Sequence, residues 1–331
     1  MEKTEWNPGK LMELSAHHWK TATLHAAVKL DVFSAIGDKQ LSESQIAHEL
    51  RCSRKGMQRL LDALSAMGLL VKHDDRYTNS AAGRAFLCRE SSQYLGYIMM
   101  HHHQLVDSWT RLDEAVSSGK PVRERVSGSD QKWRENFLMG MFNTANSLAP
   151  HIVPLIDMSD RSSLLDLGGG PGTYAIHFCR ANPGLAATVF EFATTQPFAE
   201  KTISQFDLSQ RISFRAGNFL TDDIGGGYDV AWLSHILHGE GPDDCRRILR
   251  KTVESLNSGG LVIIHEFILD DTMDHPLFPA LFSLNMLLGT PSGQACSEGQ
   301  LRQMMKDAGL EQIRRIRFDS PNDSGILVGS R

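Results

Sequence analysis

A glycine-rich run at residues 164–172 is the first feature of the sequence that points to ligand binding. It contains Asp166 and reads Leu-Leu-Asp-Leu-Gly-Gly-Gly-Pro-Gly. Glycines allow a tight turn and let a ligand approach the backbone where a β-carbon would block it. Because the run follows a predicted strand and precedes a predicted helix, it indicates a ligand site at the carboxyl end of that strand. The alternative interpretation is a tight strand–helix turn without a ligand.

Two acidic residues indicate which ligand this site takes. Glu191 ends the next predicted strand, where a carboxylate can accept hydrogen bonds from ribose hydroxyls. A nicotinamide cofactor would satisfy the same contact, but Gly168, Gly169 and Gly170 do not begin the Gly-x-Gly-x-x-Gly spacing that seats a pyrophosphate. Asp166 would repel a phosphate and attract a cation. The pattern therefore favours S-adenosylmethionine, which carries an adenosine and a cationic end but no phosphate.

Alternating strand and helix signals after residue 160 predict the elements that position these residues. The predicted strands are 163–167, 187–191, 211–216, 229–234, 260–266, 311–318 and 325–329, and helices near 173–182, 196–206, 243–257 and 299–308 separate most of them. This alternation is typical of a Rossmann-like, doubly wound, mostly parallel α/β sheet. The last two strands are expected to close the sheet as an antiparallel hairpin. Asn218 and Phe219, after the third strand, would then face the adenine.

The first hundred residues are predicted to be mainly helical and to end in a hairpin. An apolar helix face runs from Leu24 to Phe33 and ends near Gly37, and a capping box at 42–45 starts a short helix. A second helix, stopped by Gly68, and two short strands within 69–78 complete a winged-helix pattern. Residues 84–150 are predicted to be helical except at Gly119, Pro121 and 127–130.

A winged helix can bind DNA or act as a dimerisation module. Arg51, Arg54, Lys55 and Arg59 would face the groove in the first interpretation. The formal net charge of -5 argues against attraction to nucleic acid or to an anionic membrane, so we favour the second. Five scattered cysteines without a Cys-x-x-Cys pair indicate a reduced, cytoplasmic protein without a zinc site. The sequence also lacks an apolar run of the length that spans a membrane.

The motifs together resemble one known family. The chain resembles the plant and bacterial small-molecule O-methyltransferases, including the acetylserotonin type, which carry an N-terminal winged-helix dimerisation domain. The resemblance covers nearly the whole chain. It is carried by the apolar helix before Phe33, the glycine run, Gly217-Asn-Phe219, Leu237-His238 followed by Cys245, Gly259-Gly260 leading to Glu266, and the late Ser297-Glu298.

The resemblance implies a cofactor, a homodimer and a catalytic base. S-adenosylmethionine is the implied cofactor, S-adenosylhomocysteine its product, and the N-terminal domain is implied to pair with a second copy rather than with DNA. The expected cofactor-binding residues are Asp166, Gly168, Gly169, Gly170, Glu191, Phe192, Asn218, Phe219 and Ser234. His238 lies at the family's position for the catalytic base, with Glu266 and Glu298 flanking it.

Three positions depart from the family pattern. Asn218 replaces the usual aspartate, Ser234 stands where lysine or arginine is common, and the usual His-Asp-Trp-Ser-Asp run reads His238-Gly-Glu-Gly-Pro242. The last change predicts a more flexible and less aromatic loop after the base. The departures leave open a non-methylating reaction with the same cofactor, such as hydroxylation, decarboxylation or cyclisation.

A histidine suits the implied reaction because methyl transfer from a sulfonium needs a nucleophile that is aligned and deprotonated. Free histidine has a pKa of about 6.5 and is mostly neutral at pH 7. A carboxylate on its second nitrogen would orient the ring and stabilise the imidazolium. The alternative is that His238 only caps its loop. His235 is expected to pack, and His265 to point to the other face of its strand.

The acceptor pocket is expected between the sheet domain and the helices at 94–150, closed by 274–293. Candidate lining residues are Trp133, Phe137, Met141, Phe278, Phe282, Asn285 and Met286, although apolar residues at helical spacing are more often core. Such a pocket would suit an aromatic or polyketide-like acceptor. No metal is expected, because the adjacent His101, His102 and His103 point in different directions on a helix. The predicted domains are 1–100, a helical linker 101–150, and a cofactor-binding domain 151–331.

Overall fold

The computed structural model describes residues 5–125 and 131–331. The chain divides into two compact units, Met1–Leu105 and Val106–Arg331. The predicted interruption at 127–130 lies outside the described residues. In the described part of the chain, no helix is long and apolar enough to cross a membrane.

The first unit is built mainly from helices with one small antiparallel sheet. Its elements are α1 (Pro8–Lys29), α2 (Val32–Ile36), β1 (Leu41–Ser42), α3 (Glu43–Glu49), α4 (Arg54–Ala66), β2 (Leu70–His73), β3 (Arg76–Asn79), α5 (Ala81–Leu87) and most of α6 (Gly96–Trp109). The strand order is β1-β3-β2. The predicted capping box is confirmed, since the Ser42 hydroxyl accepts from the Gln45 N–H and the Gln45 side chain accepts from the Ser42 N–H. The predicted hairpin of β2 and β3 is confirmed too.

Two predicted helices are shorter than the sequence indicates. The apolar face that ends near Gly37 belongs to two helices, because Asp31 between them has a φ of 62°. The Asp31 carboxylate accepts from the Ser34 hydroxyl and from Arg89 Nε, at 2.7 and 2.9 Å, which holds this left-handed residue in place. The predicted helix after residue 84 is also interrupted between α5 and α6, where the Leu95 N–H donates to the Phe86 carbonyl.

The second unit is a three-layer α/β domain. Its helices are α7 (Leu112–Ser118), α8 (Gln131–Ile152), α9 (Thr173–Ala181), α10 (Gln196–Gln205), α11 (Pro242–Ser255), α12 (Leu277–Gly289) and α13 (Glu298–Asp307). Its strands are β4 (Ser163–Leu167), β5 (Ala186–Glu191), β6 (Ile212–Ala216), β7 (Tyr228–Ser234), β8 (Leu256–Leu269), β9 (Cys296–Ser297), β10 (Glu311–Ile316) and β11 (Ser324–Ser330). The predicted strands and helices are confirmed with small shifts of their ends.

The main sheet has the order β10-β11-β8-β7-β4-β5-β6. Strands β4 to β8 pair in parallel, while β11 pairs antiparallel with β8 and with β10. The predicted closing hairpin is therefore confirmed. The order of the parallel strands reverses at β4, which lies between β5 and β7, so a crevice opens at the carboxyl ends there.

Buried apolar side chains cover both faces of this sheet, as expected for parallel strands between helices. Trp232 and Phe178 lie on one face with Ile152 from α8. Leu233 and Leu165 lie on the other with Ile248 from α11. The two cores hold the strands rigidly, so the residues that follow the strand ends have defined positions.

Candidate active site

The turn after β4 brings the backbone close to neighbouring side chains, which is why it is built from glycines. Gly168 has a φ of 65°, and a β-carbon there would lie 2.5 Å from Ile236 Cγ2. Its N–H donates to the Phe190 carbonyl at 2.8 Å. A β-carbon on Gly169 would lie 2.5 Å from Asp166 Cγ. The turn therefore admits no side chain at these two positions without rearrangement.

Asp166 lies beneath this turn and is almost fully buried, with 1% of its surface exposed. Its Oδ2 accepts from the Ala175 N–H of α9 at 3.1 Å, while Oδ1 has no hydrogen-bond partner among the described residues. Burial raises the pKa of Asp166 to about 7; the Ala175 N–H opposes this and the nearby Glu191 carboxyl adds to it. An unsatisfied buried carboxylate oxygen fits a ligand with a cationic donor.

Glu191 ends β5 on the same edge of the sheet. Burial raises the pKa of its carboxyl, against the backbone N–H groups of Phe192 and Gly170. Its Oε1 accepts from the Phe192 N–H at 2.6 Å. The ring of Phe192 is 6.2 Å from that of Phe219, centroid to centroid. Two carboxyl groups whose pKa values are raised by burial are both stabilised in their charged form by a cationic, hydroxyl-bearing ligand such as S-adenosylmethionine.

The loop after β6 is ordered by local hydrogen bonds. The Asn218 Oδ1 accepts from the Leu220 N–H at 2.9 Å, and the Asn218 N–H donates to Asp222 Oδ2 at 2.9 Å. Asp222 was not among the predicted site residues, although an aspartate four residues after an asparagine in a turn is a usable signal. Phe219 is buried beneath this loop.

His238 and Glu266 form a hydrogen-bonded pair at the ends of β7 and β8. His238 lies in the short 3₁₀ turn Leu237–Gly239, and its Nδ1 is 2.7 Å from Glu266 Oε2. The other carboxylate oxygen, Oε1, accepts from the Leu237 N–H at 2.9 Å and from the His238 N–H at 3.3 Å. The pair is largely buried, with 12% of the His238 side chain and 3% of the Glu266 side chain exposed. Nε2 of His238 is left available for chemistry.

The surroundings of Glu266 keep its carboxyl ionised. Burial alone would raise its pKa, but His238 and His235 outweigh burial and hold the pKa well below its usual range. The Phe267 N–H also lies 3.3 Å from Oε2. An ionised Glu266 favours the tautomer of His238 in which Nδ1 carries the proton and Nε2 the lone pair.

Glu298, the second carboxylate predicted to flank His238, has different partners. It begins α13 and accepts from Arg302 Nε at 2.7 Å and from Arg315 Nη1 at 2.6 Å. In the described chain it makes no hydrogen bond to His238. The prediction that Glu298 supports His238 is therefore corrected, because Arg315 of β10 lies closer to this carboxylate.

His235 packs between two rings, as expected. Its centroid is 4.4 Å from that of His265 and 4.3 Å from that of Phe267, and its φ is 57°. His235, His238 and Glu266 each place a potential metal ligand within 4.8 Å of the others. Hydrogen bonds from Leu237 and His238 to the two Glu266 oxygens account for part of this grouping, whereas His235 Nδ1 lies 3.6 Å from Glu266 Oε2 and makes no hydrogen bond among the described residues.

His265 joins β8 to both neighbouring strands. Its Nδ1 is 3.0 Å from the Ser234 hydroxyl of β7, and its Nε2 is 3.0 Å from the Ser324 hydroxyl of β11. Burial lowers the pKa of His265 well below 6.5, so the ring is neutral. The Ser234 hydroxyl, predicted to contact the cofactor, is thus engaged with a buried histidine.

Aromatic rings surround the exposed side of His238. The Phe282 ring of α12 is 4.7 Å from the His238 ring and 4.6 Å from the Phe267 ring. Phe278, one turn earlier on α12, is 5.0 Å from Phe267. Phe267 was not among the predicted site residues, although its place beside Glu266 near the end of β8 is a usable signal.

The remaining predicted acceptor residues lie on two helices. Trp133, Phe137 and Met141 are partly buried at four-residue spacing on α8, and therefore share one face of it. Met286 is buried on α12, and Asn285 beside it accepts a hydrogen bond from Arg123. Their contact with an acceptor stays a prediction.

The loop after His238 is held by a distant arginine. Arg125 Nη1 and Nη2 lie 2.6 and 3.0 Å from the two Glu240 carboxylate oxygens, and Nη2 also donates to the Gly239 carbonyl at 2.9 Å. Glu240 is buried. A bidentate ion pair therefore restrains the loop that the sequence predicts to be more flexible.

Comparison with known proteins identifies the family of this chain. The family model of the O-methyltransferase domain matches residues 109–311, and that of the O-methyltransferase dimerisation domain matches residues 12–89. A 3-hydroxy-5-methyl-1-naphthoate 3-O-methyltransferase from Streptomyces sahachiroi is 31% identical and covers 97% of this chain and 95% of its own. The tetracenomycin polyketide synthesis 8-O-methyl transferase TcmO from Streptomyces glaucescens is 28% identical, with 96% of both chains covered.

A solved structure supports the cofactor as well as the fold. PigF, an S-adenosyl-L-methionine-dependent methyl transferase of a Serratia species, has been solved with S-adenosylhomocysteine. It matches this protein with a TM-score of 0.89 at 27% identity, covering 98% of this chain and 100% of its own. The matched family models, the crevice at β4 and the acids beside it lead to one conclusion: this chain belongs to the S-adenosylmethionine-dependent O-methyltransferase family.

Proposed function

We propose that this protein methylates a hydroxyl group of an aromatic or polyketide-like small molecule, with His238 as the general base. The observation that carries the proposal is the 2.7 Å contact between His238 Nδ1 and Glu266 Oε2. It orients the ring, leaves Nε2 as the proton acceptor and stabilises the imidazolium that forms.

The chemistry required of the protein is alignment and proton removal. The sulfonium of bound S-adenosylmethionine supplies an activated methyl group. The acceptor oxygen bonds to the methyl carbon as the carbon–sulfur bond breaks, and the hydroxyl proton passes to His238 Nε2. Alignment of the reactants lowers a barrier by roughly 7–11 kcal/mol, and a positioned base contributes about 10²–10⁴ in rate.

An aromatic acceptor is supported by the rings around His238 and by the relatives. Phe282 and Phe267 provide flat apolar surface next to the base. The relatives named above are described as acting on a naphthoate and in polyketide synthesis. Trp133, Phe137, Met141, Asn285 and Met286 are proposed to complete the pocket.

The proposed assembly is a cytoplasmic homodimer that forms through a winged-helix domain at residues 1–100. Residues 101–150 are proposed to contribute to the acceptor pocket, and residues 151–331 to bind the cofactor. The match of residues 12–89 to a dimerisation model supports the dimer. Arg54, offered above as a DNA contact, lies 2.5 Å from Glu43. The Glu43 carboxylate thus offsets the charge of one of the four basic residues that the DNA-binding interpretation uses.

The test is the His238→Ala variant, assayed with S-adenosylmethionine and a panel of phenolic and polyketide-like acceptors. We expect turnover to fall at least about a hundredfold, because the base is lost, while calorimetric affinity for S-adenosylhomocysteine stays unchanged. His151→Ala, at an exposed histidine near the end of α8, is the matched control and should keep full turnover.

Unchanged turnover in His238→Ala would remove the base assignment. Mass spectrometry of the product separates the two reactions that the sequence left open. An acceptor consumed without gaining a methyl group would favour the non-methylating reaction.

A further inference from the structure

Arg123 is a partly buried arginine without an acidic partner. Its Nη2 lies 3.3 Å from both the backbone oxygen and the side-chain Oδ1 of Asn285. Among the described residues, its buried Nε has no hydrogen-bond partner and no carboxylate lies within ion-pair distance of the guanidinium. Burial lowers the pKa of its guanidinium. Arg125, two residues later, is by contrast paired with Glu240. A partly buried cation without a carboxylate partner is unfavourable, so its presence calls for a reason.

The backbone holds Arg123 firmly against the end of α12. The N–H groups of Val122 and Arg123 both donate to the Leu288 carbonyl, at 3.0 and 3.1 Å. Arg111 Nη1 donates to the Val122 carbonyl at 2.9 Å. A β-carbon on Gly289 would lie 2.4 Å from the Arg123 guanidinium carbon, so the helix leaves space for this group. The guanidinium is therefore positioned before any ligand arrives.

The same face of α12 connects Arg123 to His238. Phe282, which contacts His238, and Gly289, which contacts Arg123, are two helical turns apart and share a face. At 1.5 Å rise per residue, this separation is about 10 Å along the helix. A fused aromatic ring system bearing a hydroxyl at one end and an anionic group at the other has this length.

The alternative role for Arg123 is to cap the last turn of α12, where exposed carbonyls attract a cation. The contact with the Asn285 carbonyl fits that role. It uses Nη2 alone, however, and leaves the buried Nε and the positive charge without a partner. The two roles also predict different stabilities, because loss of a cap lowers the stability of the folded protein, whereas loss of a ligand-binding residue does not.

We infer that Arg123 binds a carboxylate of the acceptor, so that the substrate is a hydroxyaryl carboxylate. This inference rests on the proposed function. The guanidinium offers two parallel N–H donors to the two carboxylate oxygens of the acceptor. His238 takes the hydroxyl proton at the other end of the acceptor.

The test measures binding of a set of hydroxynaphthoates and of the matching neutral carboxamides to the full-length protein saturated with S-adenosylhomocysteine. Wild-type protein should bind the best carboxylate about 10–100-fold more tightly than its carboxamide, as for a charge-assisted hydrogen bond. Arg123→Gln should abolish this preference, and Arg123→Lys should restore part of it. Lys120→Gln, at an exposed lysine on the same loop, should behave as wild type.

Thermal unfolding without ligand separates binding from capping. Arg123→Gln should unfold at the same or a higher temperature than wild type, because an unpaired buried charge is removed. A lower unfolding temperature together with an unchanged carboxylate preference would overturn the inference in favour of a cap. Failure of every hydroxynaphthoate to bind would overturn it as well.

Product analysis distinguishes failure of this inference from failure of the proposed function. Equal methylation of carboxylates and carboxamides by both wild type and Arg123→Gln would reject the inference and leave the proposed function intact. A carboxylate preference that depends on Arg123, without any methylated product, would support the role of Arg123 in binding and reject the proposed function.

Discussion

At the scale of single residues, the buried carboxyl group of Asp166 is the main electrostatic feature of the cofactor crevice. Its buried carboxyl has one oxygen bonded to the Ala175 N–H and one unsatisfied, and Glu191 lies close enough to disfavour a second negative charge. In the free protein this arrangement favours protonated Asp166. A cationic ligand reverses that preference, because it stabilises the carboxylate.

The pH dependence of stability tests this description through the Asp166→Asn variant. The folded pKa of about 7 is above the unfolded value of 3.8, so the protonated carboxyl stabilises the folded state. This stabilisation is complete below the unfolded pKa and is lost as the pH rises through about 7. Relative to Asp166→Asn, the cofactor-free wild type should therefore lose stability between about pH 4 and pH 7, on the order of a few kcal/mol, and little more above pH 7.

Urea unfolding at several pH values provides the measurement, and Asp75→Asn, at an exposed aspartate of the hairpin turn, is the control. A stability difference between wild type and Asp166→Asn that stays constant over this range would contradict the assignment. The affinity for S-adenosylmethionine should rise over the same range, because the carboxylate form binds the cation.

The turn between β4 and α9 is the element in which backbone conformation determines function. Gly168, Gly170 and Gly172 all have positive φ, and Gly168 also packs against Ile236 from the loop that leads to His238. The cofactor turn and the base-bearing loop are therefore in direct contact. A change in the turn is expected to affect both sites.

A glycine series separates strain from steric contact in this turn. Gly170→Ala meets no atom within 4 Å but has a φ of 51°, so it should cost about 1–2 kcal/mol of stability from strain alone. Gly168→Ala adds a clash with Ile236 and should cost more and also weaken S-adenosylhomocysteine binding. Gly184→Ala, with free space and no positive φ, should be close to neutral. Calorimetry and thermal unfolding measure both effects, and equal costs for all three would refute this account of the turn.

At the scale of the whole molecule, α1 exposes more apolar surface than an isolated helix face should. Leu11, Met12, Leu14 and Trp19 are each more than half exposed, and Trp19 reaches 68%. They lie on one side of a helix of 22 residues. Exposed apolar patches of this kind mark interfaces. Since residues 12–89 match a dimerisation model, a second copy of the chain is the expected partner.

Substitution of Trp19 by glutamate tests the interface. A charge in an apolar interface is costly, so Trp19→Glu should weaken the dimer at least about tenfold in sedimentation equilibrium. Lys20→Gln, at the exposed neighbouring position, changes the net charge by the same −1 and is the control that should leave the dimer intact. Wild-type protein should also show an unfolding temperature that rises with protein concentration. A monomeric wild type, or an unaffected variant, would refute this interface.

Local signals in the sequence determined much of this protein. The parallel strands, the capping box at Ser42 and the glycine turn after β4 depend on residue periodicity and backbone preference within a few positions, so they could be predicted without a structure. The break at Asp31 could not, because two side chains, one of them the distant Arg89, hold that residue in a left-handed conformation.

The partners of the functional side chains were decided only by the tertiary structure. Both Glu266 and Glu298 were candidates to support His238, and the position of Arg315 on β10 separates them. Arg123 and Arg125 reach residues 162 and 115 positions away, at Asn285 and Glu240. Contacts over such separations depend on how helices and strands pack, and no short-range pattern in the sequence encodes that packing.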